Sequence, residues 1–241
     1  MEIVPAKGPI SGATRTQATD AVTDEGLRTY MQQVYNYMGA GLAVTGVVAY
    51  FTAGSGMYAS IASTPWIWPA ILAPLAFVLV LSFGMDRIKY GTAQLLFWAF
   101  SAAMGLSLAS VFLLFTGASI ARVFIITGAT FAAMSLYGYT TKADLSRFGS
   151  FLFMGLIGVI IASVTNIFIG SSALQFAVSI IGVIVFIGLT AWDTQQIKDG
   201  YLAQETGDDT GKTAIFGALQ LYLNFINLFT MLLQLLGQRD K

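Results

Sequence analysis

Seven long apolar runs alternate with short polar breaks along the chain, at roughly residues 34–53, 66–85, 94–115, 120–139, 149–169, 173–192 and 214–236. Each approaches the ~20 residues an α-helix needs to cross the hydrocarbon layer of a bilayer. None alternates polar and apolar positions as a barrel strand does, so the runs are helices. "AGSGMYAS", "MDRIKYGT", "TTKADLSRFG" and "KDGYLAQETGDDTGK" follow the first, second, fourth and sixth runs. The third and fifth breaks, "TGAS" and "GSS", predict tight antiparallel hairpins. The pattern predicts an all-α integral membrane protein with seven transmembrane helices over residues 34–237. Residues 1–33 are polar and lack the apolar core of a signal peptide. They read as a mobile tail with a short interfacial helix from Leu27 to Tyr37.

Composition agrees with this pattern. The chain is 56% hydrophobic and only 10% charged, against about 25% charged residues in a soluble domain. Net charge is zero and no basic run suggests nucleic acid. The chain has neither Cys nor His, so thiolate chemistry is excluded and any pH response falls mainly to carboxylates. Basic residues orient the spans. With seven spans, Lys7, Arg15, Arg28, Arg87, Lys89, Lys142, Arg147, Lys198 and Lys212 share one side, and Arg122, Arg239 and Lys241 the other. The N-terminus is therefore expected in the cytoplasm and the C-terminus outside.

Small residues recur every four positions at Ser101, Gly105 and Ala109 in the third run and at Gly128 and Ala132 in the fourth. Such faces let helices approach closely in lipid. Polar side chains are fewer and more informative. Asp193 ends the sixth run, in "GLTAWDTQQIK". It is either a helix-end residue meeting water or an intramembrane acid with a function. Thr190 shares its helical face. In the seventh run, Gln220, Asn224 and Asn227 fall at i, i+4 and i+7, one inward-turned polar stripe. Antiparallel packing of the last two spans sets Asp193 against Gln220 and Asn224, with Asn166 of the fifth span as a further inward amide. The stripe serves equally as interhelical hydrogen-bond glue.

"GLTAWDTQQIK" followed by "ALQLYLNFINLF" resembles the two signature stretches of the Bax inhibitor-1 family, also called the transmembrane BAX inhibitor motif family. "LYGYTTKADLSRFGSFLFMGLIG" (136–158) is similar to its bacterial branch. The resemblance runs from about Leu27 to Gly237. It implies six helices around a central seventh, a bacterial inner-membrane location and a calcium leak gated by pH. In that family two aspartates, at the end of span six and in span seven, share a proton and close the cytoplasmic mouth. Asp193 matches the first. The second falls in a motif L-x-L-D-F-I that reads "LYLNFI" here, with Asn224 in its place. The resemblance implies a latch of basic residues after span two, for which Arg87 is the nearest match, with Lys89 beside it. Some members carry an acid in span two, and residues 66–85 have none.

Two neighbouring carboxylates titrate as a coupled pair, and an Asp–Asn pair does not. The pH gate is therefore expected to be weaker here. A calcium site of Asp193 and Asn224 keeps oxygen ligands but loses a charge, and binds more weakly. Calcium is cargo on this reading, and no resident cofactor is implied. A second function class is a regulator or substrate of a membrane-anchored ATP-dependent protease, which the resemblance also implies and which the polar tail would suit. A retinal receptor is excluded because span seven has no Lys for a Schiff base. An enzyme is not expected, because Asp193 has no second acid or base beside it.

Overall fold

The computed structural model describes residues 12–84, 87–203 and 210–240, with side chains from Asp24 onward. Among the described residues eight helices follow one another: α1 (Gly12–Gly54), α2 (Met57–Ala62), α3 (Ile67–Gly84), α4 (Tyr90–Leu114), α5 (Gly117–Thr140), α6 (Ser146–Ile169), α7 (Ser172–Ala203) and α8 (Thr210–Leu236). All but α2 are long and apolar enough to cross a membrane, α1 from Asp24 onward. Large apolar side chains such as Phe83, Phe151, Ile167 and Phe168 stand exposed around the bundle, as a lipid-facing surface requires.

Two boundaries differ from the apolar runs. The first helix begins at Gly12, so the segment expected as a tail over 1–33 is helical from there on, and residues 1–11 lie outside the described residues. Leu27, Tyr30, Met31, Val34 and Met38 recur at helical spacing and are all buried. This stripe continues the helix where mean hydropathy has already fallen. The same stripe replaces the short interfacial helix expected over Leu27–Tyr37. Likewise α7 continues past residue 192 to Ala203. Asp193 therefore lies inside a helix rather than at its end.

Local chemistry sets the tight hairpins. Thr116 caps α5, its hydroxyl accepting from the Ser119 N–H. Gly170, at φ +66°, closes α6 in the left-handed conformation that favours glycine. Its N–H donates to the Asn166 carbonyl at 2.8 Å.

The most buried span is α8. It packs against α1, α3, α4, α5 and α7, while the principal neighbour of α6 is α7. The expected small-residue face of α4 is a true interface, with Ser101, Gly105 and Ala109 buried. A Cβ on Gly105 would lie 2.7 Å from the Thr45 carbonyl oxygen and from Val48 Cβ. The expected face on α5 is not one. A Cβ on Gly128 would meet nothing within 4 Å, and Ala132 is exposed. The packed face of α5 instead carries Val123, Thr127, Phe131, Ser135 and Gly138, whose large members give it more burial than glycine and alanine would.

Candidate functional site

The site grows from the close approach of α7 to its neighbours. Gly138 of α5 lets the backbone at Ala191 come so near that a Cβ there would overlap the Ala191 carbonyl. Gly149 of α6 accepts the Trp192 indole, with a would-be Cβ 2.6 Å from the ring. These two glycines hold α7 in register, and the following residues then reach fixed partners.

Asp193 is buried at 7% exposure, and Asn224 at 5%. Asn224 Nδ2 donates to Asp193 Oδ2 at 2.6 Å. This pairs the acid of α7 with the most buried helix, as the i, i+4 spacing on α8 predicts. A helix-end residue meeting water is not what the structure contains. The rest of the expected polar face does not converge on Asp193. Thr190 donates to the Phe186 carbonyl, and Asn227 to the Leu223 carbonyl, each within its own helix. Gln220 is half-buried and makes no hydrogen bond among the described residues. Asn166 lies at the other end of α6, where its Oδ1 accepts from the Ser171 N–H at 3.0 Å. It caps a helix rather than adding an inward amide, because its position closes the α6–α7 turn. Arg87 and Lys89 are exposed on the α3–α4 connection.

Residues after Asp193 form contacts that face-counting within the apolar run did not reach. Thr194 Oγ1 donates to the Thr190 carbonyl and lies 2.9 Å from Ser135 Oγ, which in turn lies 2.5 Å from the Tyr35 hydroxyl. This buried hydroxyl line ties α7 to α5 and α1. Gln195 Oε1 accepts from the Leu145 N–H at 2.8 Å, and its Nε2 donates to the Ala143 carbonyl at 2.9 Å. One side chain thus pins two backbone groups of the α5–α6 connection. Lys198 Nζ donates to the Tyr139 carbonyl at 2.9 Å. Within that connection the Ser146 N–H donates to Asp144 Oδ1 and holds this exposed carboxyl below the usual carboxylate range. The signal in the sequence was the run of amides and hydroxyls in "DTQQIK".

Chemically, the site offers one buried carboxylate and one amide. Asn224 supplies a donor to the acid, and its carbonyl oxygen is an acceptor. No group of three or more acidic or other metal-ligating side chains gathers among the described residues.

A seven-span helical membrane protein with a buried carboxylate–amide pair between its last two spans is thereby defined. The family described as "Inhibitor of apoptosis-promoting Bax1" matches residues 27–241, and the chain belongs to it. It is a multi-pass inner-membrane protein. It is 49% identical over 218 residues to the inner membrane protein YbhL of Escherichia coli K12, covering 89% of this chain and 93% of the relative. An uncharacterized protein, RP147, of Rickettsia prowazekii is 47% identical over 225 residues, covering 93% and 95%. A further uncharacterized protein, from Caulobacter vibrioides, is 44% identical over 233 residues, covering 90% and 92%.

Proposed function

We propose that the protein is a passive cation leak with calcium as its cargo, gated where Asp193 meets Asn224 at the cytoplasmic mouth. The observation that carries this reading is the burial of an acid within a membrane bundle, held by the most buried helix. An intramembrane carboxylate is costly, and by default it marks an ion or proton pathway. At the same depth the bundle is filled. Tyr222 is fully buried, packs edge-on against Phe97 and Phe100, and lies 2.6 Å by its hydroxyl from Thr45 Oγ1. Passage therefore requires α8 to part from α1 and α4, and this arrangement is the resting state. With Asn224 in place of a second acid, one carboxylate titrates at the mouth and the pH response is shallow. Arg87 and Lys89 belong to the same end of the bundle, where Tyr90 packs on Gly211, and are proposed to engage the mouth only in another state.

The test is calcium flux into proteoliposomes containing this protein alone, against pH, for wild type and Asp193→Asn. A leak altered in size and in pH response by Asp193→Asn supports the reading. An unchanged curve in a folded variant removes Asp193 from the gate. Absence of any flux favours the second reading, a regulator or substrate of a membrane-anchored ATP-dependent protease. The proposed orientation has the N-terminus in the cytoplasm. A reporter active only in the cytoplasm, fused after Lys241, is then silent. The same reporter inserted at Lys142 is active.

A further inference from the structure

Helices α1 and α5 both pack on α8 but hardly on each other. Between them lies a crevice of about 520 Å³, lined by Arg28, Met31 and Tyr35 of α1 and by Phe131, Ala132 and Tyr139 of α5. Its volume is in the range of ligand sites, roughly 300–1,000 Å³. Its walls are predominantly apolar, and it opens on the flank of the bundle between two membrane spans. Ala132 of α5 lines the crevice, and its short, exposed side chain leaves the space in front of it unfilled.

Charge identifies the occupant. Arg28 is the only charged side chain in the lining. It lies six residues before the apolar run that begins near residue 34, near the level of headgroups on the expected cytoplasmic side. It is exposed and forms no ion pair among the described residues. Gln32 also lines the crevice and is exposed, so its amide can donate to a headgroup beside Arg28. Tyr35 and Ser135 are 2.5 Å apart, bonded to each other, and Ser135 also reaches Thr194. An apolar crevice with one free cation at the interface matches an acyl chain joined to a phosphate. Basic pockets between spans on the cytoplasmic side recognise anionic lipid headgroups.

We propose that this crevice binds one anionic phospholipid of the cytoplasmic leaflet, with an acyl chain along α1 and α5 and its phosphate at Arg28. The lipid then lies on the far side of the Tyr35–Ser135–Thr194 line from Asp193. The inference does not depend on the leak, and its test reads binding alone.

The full-length protein in detergent is mixed with phosphatidylglycerol or phosphatidylcholine, and lipid retention is read by native mass spectrometry. Wild type retains phosphatidylglycerol in preference to phosphatidylcholine. Arg28→Gln reduces phosphatidylglycerol occupancy about fivefold, the effect of one basic side chain on an anionic lipid, and leaves phosphatidylcholine unmoved. Arg147→Gln removes the same charge from an exposed site outside the crevice and retains the wild-type preference. Ala132→Trp fills the crevice and lowers retention of both lipids. Equal retention of the two lipids by wild type overturns the proposal. So does a loss from Arg147→Gln equal to that from Arg28→Gln. Should Ala132→Trp fail to fold, the comparison of the two Arg variants decides alone.

Discussion

Asn224 Nδ2 stands 2.6 Å from Asp193 Oδ2, and both side chains are buried between α7 and α8. The strength of this contact depends on the charge of the acceptor. Side-chain hydrogen bonds between helices in a membrane bundle average about 0.6 kcal/mol in double-mutant cycles. Hydrogen bonds to charged groups contribute about 1.5–3 kcal/mol. A cycle of Asp193→Ala and Asn224→Ala, measured by denaturant unfolding in detergent at pH 8, is expected to give a coupling above about 1.5 kcal/mol. A value near the neutral average would mean that Asp193 is protonated at that pH.

Gln195 makes the second prediction. Its amide pairs with the backbone at Ala143 and Leu145, so Gln195→Ala removes both bonds to the α5–α6 connection. Each net hydrogen bond contributes about 0.5–1.5 kcal/mol. The connection is expected to open locally while the bundle stays folded. Because the chain has no cysteine, a single Lys142→Cys reports this cleanly. Thiol labelling at residue 142 should quicken in the Gln195→Ala background, and thermal stability should fall only modestly. Unchanged labelling would show that the connection is held by other contacts.

The spans were legible because each is an uninterrupted apolar run, and Asp193 facing Asn224 was legible because helical spacing and antiparallel packing fix that meeting. What was not legible has physical reasons. The packing of α1 into the bundle from Leu27 onward rests on a stripe of five buried residues amid polar ones, which hydropathy averaging hides. Thr190 and Asn227 satisfy themselves on their own helices, a choice of rotamer that spacing does not encode. The partners of Thr194 and Gln195 on other elements come from α5 and its loop, 50 or more residues away in sequence. The face of α5 that packs is decided by Phe131, Ser135 and Gly138, not by the regular Gly128–Ala132 repeat.

That contrast on α5 is itself testable. Gly138→Ala drives a methyl into the Ala191 backbone, which has no flexible end to give way. Overpacking of this kind costs about 1–3 kcal/mol, and here it also displaces the helix that carries Asp193. Gly128→Ala meets open space and is expected to leave stability unchanged or slightly improved through helix propensity. Thermal unfolding in detergent compares the two. Equal losses would mean that α5 does not approach α7 as closely as Gly138 implies.

The last prediction concerns Asn224, the position at which the resemblance implies a second acid. With an amide there, the proposed gate holds one carboxylate, and a single titrating group gives at most a one-proton response. Asn224→Asp puts a second carboxylate within hydrogen-bond distance of the first across the α7–α8 interface. Like charges at that separation do not ionise independently, so the pair titrates in two coupled steps. The leak of the variant is therefore expected to vary more steeply with pH than that of wild type between about pH 6 and 8, a window above the ~3.9 of an unperturbed Asp. If calcium passes at Asp193 as proposed, the added charge gives it a second anionic ligand, and its binding is expected to tighten. Proteoliposome flux at several pH values, with calcium affinity measured in parallel, reads both effects. A steep two-step curve in wild type, or an Asn224→Asp variant whose flux and affinity match wild type, would show that the two positions do not form the gate. Asp193→Asn combined with Asn224→Asp moves the single acid from α7 to α8. It is expected to restore the shallow curve, because the steepness belongs to the pair rather than to either helix.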